Sequence, residues 1–115
     1  MDCIFCKIGA GTIPSDAVFE DERVKIFRDI HPKAPVHLLV IPKMHIESVA
    51  HLQADHADVV SRLIFAAKEI ARTQNLSGYK IILNVGREAG QVIDHLHLHI
   101  LGGWSSDENP DQFRA

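Results

Sequence analysis

The chain has 115 residues, of which 46% are hydrophobic, and this predicts a single globular domain over residues 1–115. No apolar run approaches the ~18 residues that a membrane span requires, and the start of the chain lacks a secretory signal pattern, so we expect a soluble cytoplasmic protein that does not bind membranes. The 12 basic and 15 acidic residues give a net charge of −3 without a basic stripe, which argues against a nucleic-acid-binding protein.

The first half of the chain predicts a short helix followed by three strands. Residues 3–8 form the helix, which Gly9, Gly11 and Pro14 bring to an end. Residues 17–20 and 24–28 look like two strands, and residues 21–23 between them make a hairpin plausible. Residues 37–41 are an apolar, branched run that Pro42 stops, as is typical of a buried central strand.

The second half predicts one long helix and two further strands. Residues 55–74 carry apolar side chains at i, i+3 and i+4 spacing, the pattern of a helix with one buried face. Strands follow at residues 79–85 and 95–101, separated by a loop at residues 86–91, and the chain from Trp104 onward is an irregular tail. We therefore expect an α+β domain with about five strands in a mainly antiparallel sheet, one long helix and a short N-terminal helix.

Three histidines alternate along the last predicted strand. Because successive side chains of a strand point to opposite faces, His95, His97 and His99 share one face, and Leu96 and Leu98 pack with Ile100 under the long helix. A sheet face that is polar by chance, a metal site with two imidazoles on one zinc and phosphoryl chemistry with a histidine nucleophile are the three interpretations.

The loop before the histidines favours phosphoryl chemistry. Gly86 and Gly90 flank it, and glycine permits the close backbone approach and open N–H groups that bind an anion. Asn84 and Gln91 add amide donors beside this loop. Together with the histidines, the loop predicts a phosphate site.

The whole pattern resembles the histidine triad family, whose signature alternates three histidines with apolar residues and ends in two apolar positions. Residues 95–101 read His-Leu-His-Leu-His-Ile-Leu and fit that signature at every position. The similarity covers nearly the whole chain, and the closing Leu101-Gly102-Gly103 resembles the HINT-like branch. The resemblance implies the histidine triad fold and a homodimer whose subunits meet through the long helix and a strand.

By position, the resemblance implies that His97 attacks the α-phosphate of a nucleotide and forms a nucleotidyl-histidine that water then hydrolyses. His95 and His99 would flank it and bind phosphate oxygens, and His37 would extend a hydrogen-bonded chain of histidines behind it. The remaining site would consist of phosphate contacts, a carboxylate for the ribose hydroxyls and an apolar base pocket. The phosphate contacts would be Asn84, Gly90, Gln91 and Ile93, and the carboxylate would be Asp29. The base pocket would consist of Phe5, Ile8, Ile13, Phe27 and Ile30.

Two positions depart from that family pattern. Val92 stands where HINT-like members usually carry a serine, so a hydrogen bond to the phosphate or leaving group is absent, and we expect slower departure or an altered choice of substrate. Asp94 stands where an aromatic residue is common, and its partner is open between a neighbouring side chain and a metal ligand. The tail from Trp104 does not match the segment that reaches the partner subunit in this branch.

Cys3 and Cys6 form a C-x-x-C pair, which in a reducing cytosol indicates a metal or redox site before a disulfide. In some bacterial relatives this pair binds a structural zinc together with a histidine after Pro-Lys and the first triad histidine, here His45 and His95. Two thiolates and two imidazoles complete a tetrahedral zinc, so the resemblance implies a structural rather than a catalytic metal. Two small buried cysteines and a surface histidine are the alternative.

The sequence thus predicts a homodimeric hydrolase or nucleotidyl transferase that cleaves purine nucleoside phosphoramidates by ping-pong, with a structural zinc and no cofactor in the reaction. Its rivals are a dinucleoside polyphosphate hydrolase of the same family, a zinc-containing nucleotide-binding interaction protein with little turnover, and a zinc hydrolase that uses the triad itself as ligands.

Overall fold

The computed structural model describes residues 3–105, so most of the predicted tail lies outside the described residues. Helix α1 spans Ile4–Ala10 and helix α2 spans Ala57–Thr73. Strands β1 to β5 span Ala17–Glu20, Val24–Arg28, Val36–Pro42, Tyr79–Ile82 and Leu98–Gly102. Short 3₁₀ turns occupy Val49–His51, Ala54–His56 and Arg87–Ala89. No helix in residues 3–105 combines the length and hydrophobicity of a membrane span.

The five strands form one antiparallel sheet in the order β1-β2-β3-β5-β4. β3 and β5 are the central pair, with Leu38 opposite Ile100 and Leu39 opposite His99. The predicted α+β architecture, with a long helix and a short N-terminal helix, is confirmed.

The two faces of the sheet have different roles. One face packs against α2 through an apolar cluster that includes Leu63, Ala67 and Ile70 from the helix and Leu96, Leu98 and Ile100 from the last segment, as the alternation predicted. The other face carries a smaller cluster beneath α1, made of Phe5, Ile8, Phe27, Leu39 and Ile41. The polar chemistry of the triad lies next to this smaller cluster.

Helix α1 owes its ends to two residues. The Cys3 sulfur caps the start by accepting a hydrogen bond from the Cys6 N–H at 3.3 Å. Gly11 ends the helix in a left-handed conformation, with φ of 80°, which glycine adopts at little cost. These ends fix both cysteines on one turn that lies over the edge of the smaller apolar cluster.

The prediction of a last strand over residues 95–101 is wrong at its start, because β5 begins only at Leu98. β3 ends at Pro42, which lacks the N–H that a continuing ladder needs. The chain before β5 is held instead by a bond from the Leu96 N–H to the Ile46 carbonyl at 2.6 Å. Of the three histidines, only His99 belongs to the strand.

Strand β4 is also shorter than the predicted residues 79–85. Its register with β5 ends at the pair Ile82–His99, one residue from the start of β5. Among the described residues β4 has no second neighbour, since it lies at the edge of their sheet. The chain from residue 83 therefore leaves the ladder and leads into the loop over the cleft.

Candidate active site

A cleft of about 540 Å³ opens on the face of the sheet that carries α1, a volume in the range of small-molecule sites. Most of the residues that the sequence predicted for a nucleotide site line it. These are Phe5, Ile8, Ile13, Phe27, Asp29, Ile30, Asn84, Gly90, Ile93, His97 and His99. Leu39, Ser15 and Asp16 also line the cleft and were not predicted.

His97 presents one defined nitrogen to this cleft. Its Nδ1 lies 2.6 Å from the backbone carbonyl of His95, and because a carbonyl only accepts, Nδ1 must carry the hydrogen. Nε2 then keeps its lone pair, which makes it the nucleophilic atom of the ring. Burial lowers the pKa of His97 and outweighs the opposing effects of the His95 carbonyl and Asp29, so the ring is neutral at physiological pH.

A chain of two hydrogen bonds fixes the proton on His99. The backbone N–H of Lys33 donates to His37 Nδ1 at 3.1 Å, so the hydrogen of His37 is on Nε2. His37 Nε2 lies 2.9 Å from His99 Nδ1 and donates to it. The His99 hydrogen is therefore on Nε2, at the end of the ring that is available to the cleft.

The pKa values of both rings fall because of burial. Desolvation lowers the pKa of His37, against the attraction of Asp29. Desolvation together with the neighbouring His97 and His37 lowers the pKa of His99 to about 4. Both rings are neutral at pH 7, so the proton order that the hydrogen bonds define persists there.

Asp29 closes this chain at the rim of the cleft. One carboxylate oxygen accepts a hydrogen bond from the His31 N–H at 2.8 Å, and the other lies 3.5 Å from His37 Nε2. Asp29, His37 and His99 form a group that resembles a metal site. The 2.9 Å separation of His37 Nε2 and His99 Nδ1 is nevertheless a hydrogen-bond length, shorter than the ~3.3 Å edge between two nitrogens on a tetrahedral zinc.

Phe5 joins the apolar pocket to the triad. Its ring meets the rings of His97 and Phe27 edge-on, with centroids 5.1 Å and 5.6 Å away, and it also contacts His95 at 5.9 Å. Phe5 is 4% exposed, so it fixes the position of the His97 ring as well as lining the pocket. Nothing in the local sequence indicated that second role.

The loop over residues 86–91 depends on its two glycines. Gly86 and Gly90 have φ values of 85° and 95°, which other residues rarely adopt. The N–H groups of Val92 and Ile93, at the cleft wall, have no hydrogen-bond partner within residues 3–105. They are therefore available to an anion, and the phosphate contact at the Ile93 backbone stays a prediction.

Gln91 differs from its prediction as an amide donor to phosphate. Its side chain is buried and is not among the residues that line the cleft. Its oxygen accepts from the Gly86 N–H at 2.9 Å, and its amide nitrogen donates to the carbonyls of Glu47 and Ile93 at 2.7 and 3.0 Å. Both amide hydrogens are used inside the protein, so Gln91 holds the loop.

Four donors come together behind the triad, at Cys3, Cys6, His45 and His95, and could hold a metal ion. His45 Nδ1 and His95 Nδ1 are 3.2 Å apart, and the sulfur–nitrogen distances of Cys3–His95, Cys6–His45 and Cys6–His95 are 3.2, 3.3 and 3.5 Å. Tetrahedral zinc with ordinary bond lengths has edges of about 3.3 Å between nitrogens and about 3.6 Å between nitrogen and sulfur. The arrangement fits a tetrahedral ion.

Protonation at this cluster also fits a cation. His95 Nε2 donates to the Pro42 carbonyl at 2.8 Å, which leaves the Nδ1 lone pair directed at the cysteines. Burial and the neighbouring Cys3 raise the pKa of Cys6 to about 11, so Cys6 becomes a thiolate at neutral pH only beside a compensating positive charge. His95 is therefore committed to the cluster, and His97 remains on the cleft side.

Comparison with known proteins agrees with this geometry. The family model described as "Scavenger mRNA decapping enzyme C-term binding" matches residues 2–109. Protein HitA of Neisseria gonorrhoeae is 44% identical over 88% of this chain and 95% of its own length. The purine nucleoside phosphoramidase of Escherichia coli K12 is 42% identical over 89% of this chain and 87% of its own. The adenylylsulfatase HINT1 of Arabidopsis thaliana is 41% identical over 87% of this chain and 70% of its own.

Solved structures give the same result. A HIT family hydrolase from Legionella pneumophila superposes with a TM-score of 0.89 at 42% identity and covers 95% of this chain and 99% of its own. A zinc-bound histidine triad family protein from Mycobacterium smegmatis superposes with a TM-score of 0.81 at 31% identity and covers 94% and 79%. This chain therefore belongs to the histidine triad (HIT) family and is one of its hydrolases.

Proposed function

We propose that this protein hydrolyses purine nucleoside phosphoramidates in two steps through a nucleotidyl-histidine on His97. The observation that carries the proposal is the fixed neutral tautomer of His97, whose Nδ1 is bonded to the His95 carbonyl while Nε2 keeps its lone pair at a nucleotide-sized cleft. The phosphoramidase activity named for the Escherichia coli relative supports the choice of substrate.

We propose one orientation for the nucleotide in the cleft. The base occupies the apolar end lined by Phe5, Ile8 and Phe27, and the Asp29 carboxylate accepts hydrogen bonds from the ribose hydroxyls. The α-phosphate then lies beside Asn84 and the N–H groups of Val92 and Ile93, which have no partner within residues 3–105. In this orientation phosphorus would lie next to His97.

In the first step His97 Nε2 forms a bond to phosphorus, and the phosphorus–nitrogen bond of the substrate breaks. The amine leaves with a proton from water. The positive charge on the phosphorylated ring is stabilised by the hydrogen bond from Nδ1 to the His95 carbonyl. His99 Nε2–H donates to a phosphate oxygen, and its direction is fixed by His37 and the Lys33 N–H.

In the second step water adds to phosphorus and the bond to Nε2 breaks, which releases the nucleoside monophosphate. The proton lost by this water balances the one that the amine took up. His97 returns to its starting tautomer because the His95 carbonyl still accepts from Nδ1. The loop and His99 do the same work in both steps, since the phosphate charge that they contact develops twice.

We further propose that the cluster of Cys3, Cys6, His45 and His95 binds a structural zinc. The four distances support it, and so does the zinc-bound relative. Four protein ligands leave no position for a water, so the ion stabilises the fold and supplies no group to the reaction. The cluster joins α1 to the segment before β5, which sets the position of His97 two residues later.

We also propose that the protein is a homodimer that pairs along the β4 edge. Tyr79 and Ile81 on β4 are exposed, as are Leu83 and Val85 directly after it, and Phe65 on α2 is 62% exposed. An exposed apolar edge strand is a site at which another chain adds to a sheet. A second copy provides the matching surface.

A substrate panel with one variant tests the reaction. We expect the wild type to hydrolyse an adenosine phosphoramidate faster than an adenosine phosphosulfate or a dinucleoside tetraphosphate, and His97→Asn to abolish turnover with all three. Faster turnover of the tetraphosphate would identify a dinucleoside polyphosphate hydrolase instead. Turnover that survives in His97→Asn would contradict the nucleophile, and a wild type that only binds nucleotide would support an interaction protein.

A further inference from the structure

The ion pair between Arg87 and Asp94 is not explained by the reaction as described. Arg87 Nη2 donates to a carboxylate oxygen of Asp94 at 2.9 Å, and Nη1 of the same guanidinium donates to the Gln91 carbonyl. One planar side chain thus bonds two points of the segment between the loop and the metal-ligating His95. This identifies the partner of Asp94, which the sequence left open.

We propose that Arg87 and Asp94 are positioning residues that hold the phosphate-binding backbone of residues 90–93 in its reactive geometry. The proposal rests on the proposed function, because the backbone concerned is the one assigned to the α-phosphate. It adds a role for two residues that line neither the base pocket nor the triad.

The hydrogen bonds of the loop show why such a clamp is needed. On its inner side the Gln91 side chain joins Gly86 to Glu47 and Ile93. On its outer side, within residues 3–105, the Arg87 side chain donates to the Gln91 carbonyl and to Asp94. The N–H groups of Val92 and Ile93 lie between these two attachments, and neither has a bond of its own within residues 3–105 to fix its direction.

The chemistry of arginine suits this position. A guanidinium carries several donors in one rigid plane, so it reaches a carboxylate and a carbonyl at once. The lysine ammonium is a point charge on a flexible stem and does not reproduce that geometry. The pair therefore acts through the orientation of the loop and not through net charge, since the two side chains neutralise each other.

The test compares kcat and KM for adenosine phosphoramidate in Arg87→Ala, Asp94→Ala, the double variant and Arg87→Lys. We expect each alanine variant to lower kcat about fivefold, with KM within about twofold because the base and ribose contacts are untouched. The double variant should be no slower than either single variant, and Arg87→Lys should be as slow as Arg87→Ala.

A second ion pair supplies a matched control. Arg72 and Glu69 on α2 are also 2.9 Å apart, and their side chains are about as exposed as those of Arg87 and Asp94. They lie on α2, which packs on the face of the sheet opposite the cleft. Arg72→Ala should keep the wild-type kcat, and its thermal midpoint should match that of Arg87→Ala.

Three results would overturn the proposal: unchanged kcat in Arg87→Ala, full activity in Arg87→Lys, or losses that multiply in the double variant. An active wild type with unaffected variants refutes only the clamp. A wild type that does not turn over the phosphoramidate refutes the proposed function first.

Discussion

Replacing His99 with glutamine removes a buried imidazole whose pKa is lowered from 6.5 to about 4, first by burial and then by the neighbouring His97 and His37. The folded protein holds this ring neutral, whereas the unfolded chain lets it take up a proton near pH 6.5. The stability that this residue contributes is therefore fully present above pH 6.5. It is lost as the pH falls from 6.5 towards 4.

The size of the effect follows from the two pKa values. Between pH 7 and pH 4.5, protonation of the unfolded ring lowers the free energy of unfolding by about 2.4 kcal/mol. The wild type should lose that much more stability than His99→Gln over the same interval. Titrating groups that do not contact His99, including those of the cysteine–histidine cluster, are present in both proteins and cancel in the comparison.

Urea denaturation at pH 7, 5.5 and 4.5 measures the difference. His51→Gln is the matched control, because it makes the same exchange at an exposed ring outside the cleft, and it should follow the wild type. Equal pH dependence in the wild type and His99→Gln would refute the reasoning. It would mean that the buried ring is not held neutral and that the proton order along His37 and His99 is not fixed.

Three further predictions concern the metal, the loop and the edge strand. Chelation, or Cys6→Ser, should lower the thermal midpoint, since an ion at 100 times its Kd stabilises a fold by about 2.7 kcal/mol. The metal-depleted folded protein should keep its turnover. Loss of turnover would instead favour a catalytic metal. Gly90→Ala should lower the free energy of unfolding, measured in urea, by about 1–2 kcal/mol, because φ is 95° although the space around the new Cβ is open. Gly78 is equally open but has no positive φ, so Gly78→Ala should cost less than about 1 kcal/mol. Equal losses in the two variants would contradict the argument from backbone strain. Ile81→Lys should convert the dimer to a monomer, as measured by light scattering. Met44 is an exposed apolar residue outside this edge, so Met44→Lys should leave the dimer intact. A monomeric wild type would contradict the edge-pairing proposal.

The sequence predicted most of the fold because the residues that begin and end most of its helices and strands lie within or next to those elements. The bounds of β1 and β2 follow from the two runs on either side of the polar residues 21–23, and the long helix follows from its apolar stripe. The start of β5 was wrong because it depends on Pro42, 56 residues before Leu98, at the end of the neighbouring strand. Strand pairing of this kind is a tertiary property that alternation alone does not report.

The candidate site divides in the same way. The triad spacing, the glycine loop and the cysteine pair are visible in the sequence, and the resemblance supplied their assembly with His37, His45 and Asp29. The backbone N–H of Lys33 left no trace in the sequence, because every residue but proline has one. Loop geometry determines the internal bonds of Gln91 and the pairing of Arg87 with Asp94. Without that geometry, the sequence analysis assigned Gln91 to the ligand from the chemistry of its amide alone.

Rapid quenching of the protein with an adenosine phosphoramidate labelled in its phosphate tests the nucleophile most directly. Mass spectrometry of the digested protein should find the adenylyl group on the peptide that carries His97, in the first turnover and without metal in the buffer. The label should be absent from His97→Asn and should disappear from the wild type as the monophosphate accumulates. Turnover without any adduct, or an adduct on His95 or His99, would contradict the account.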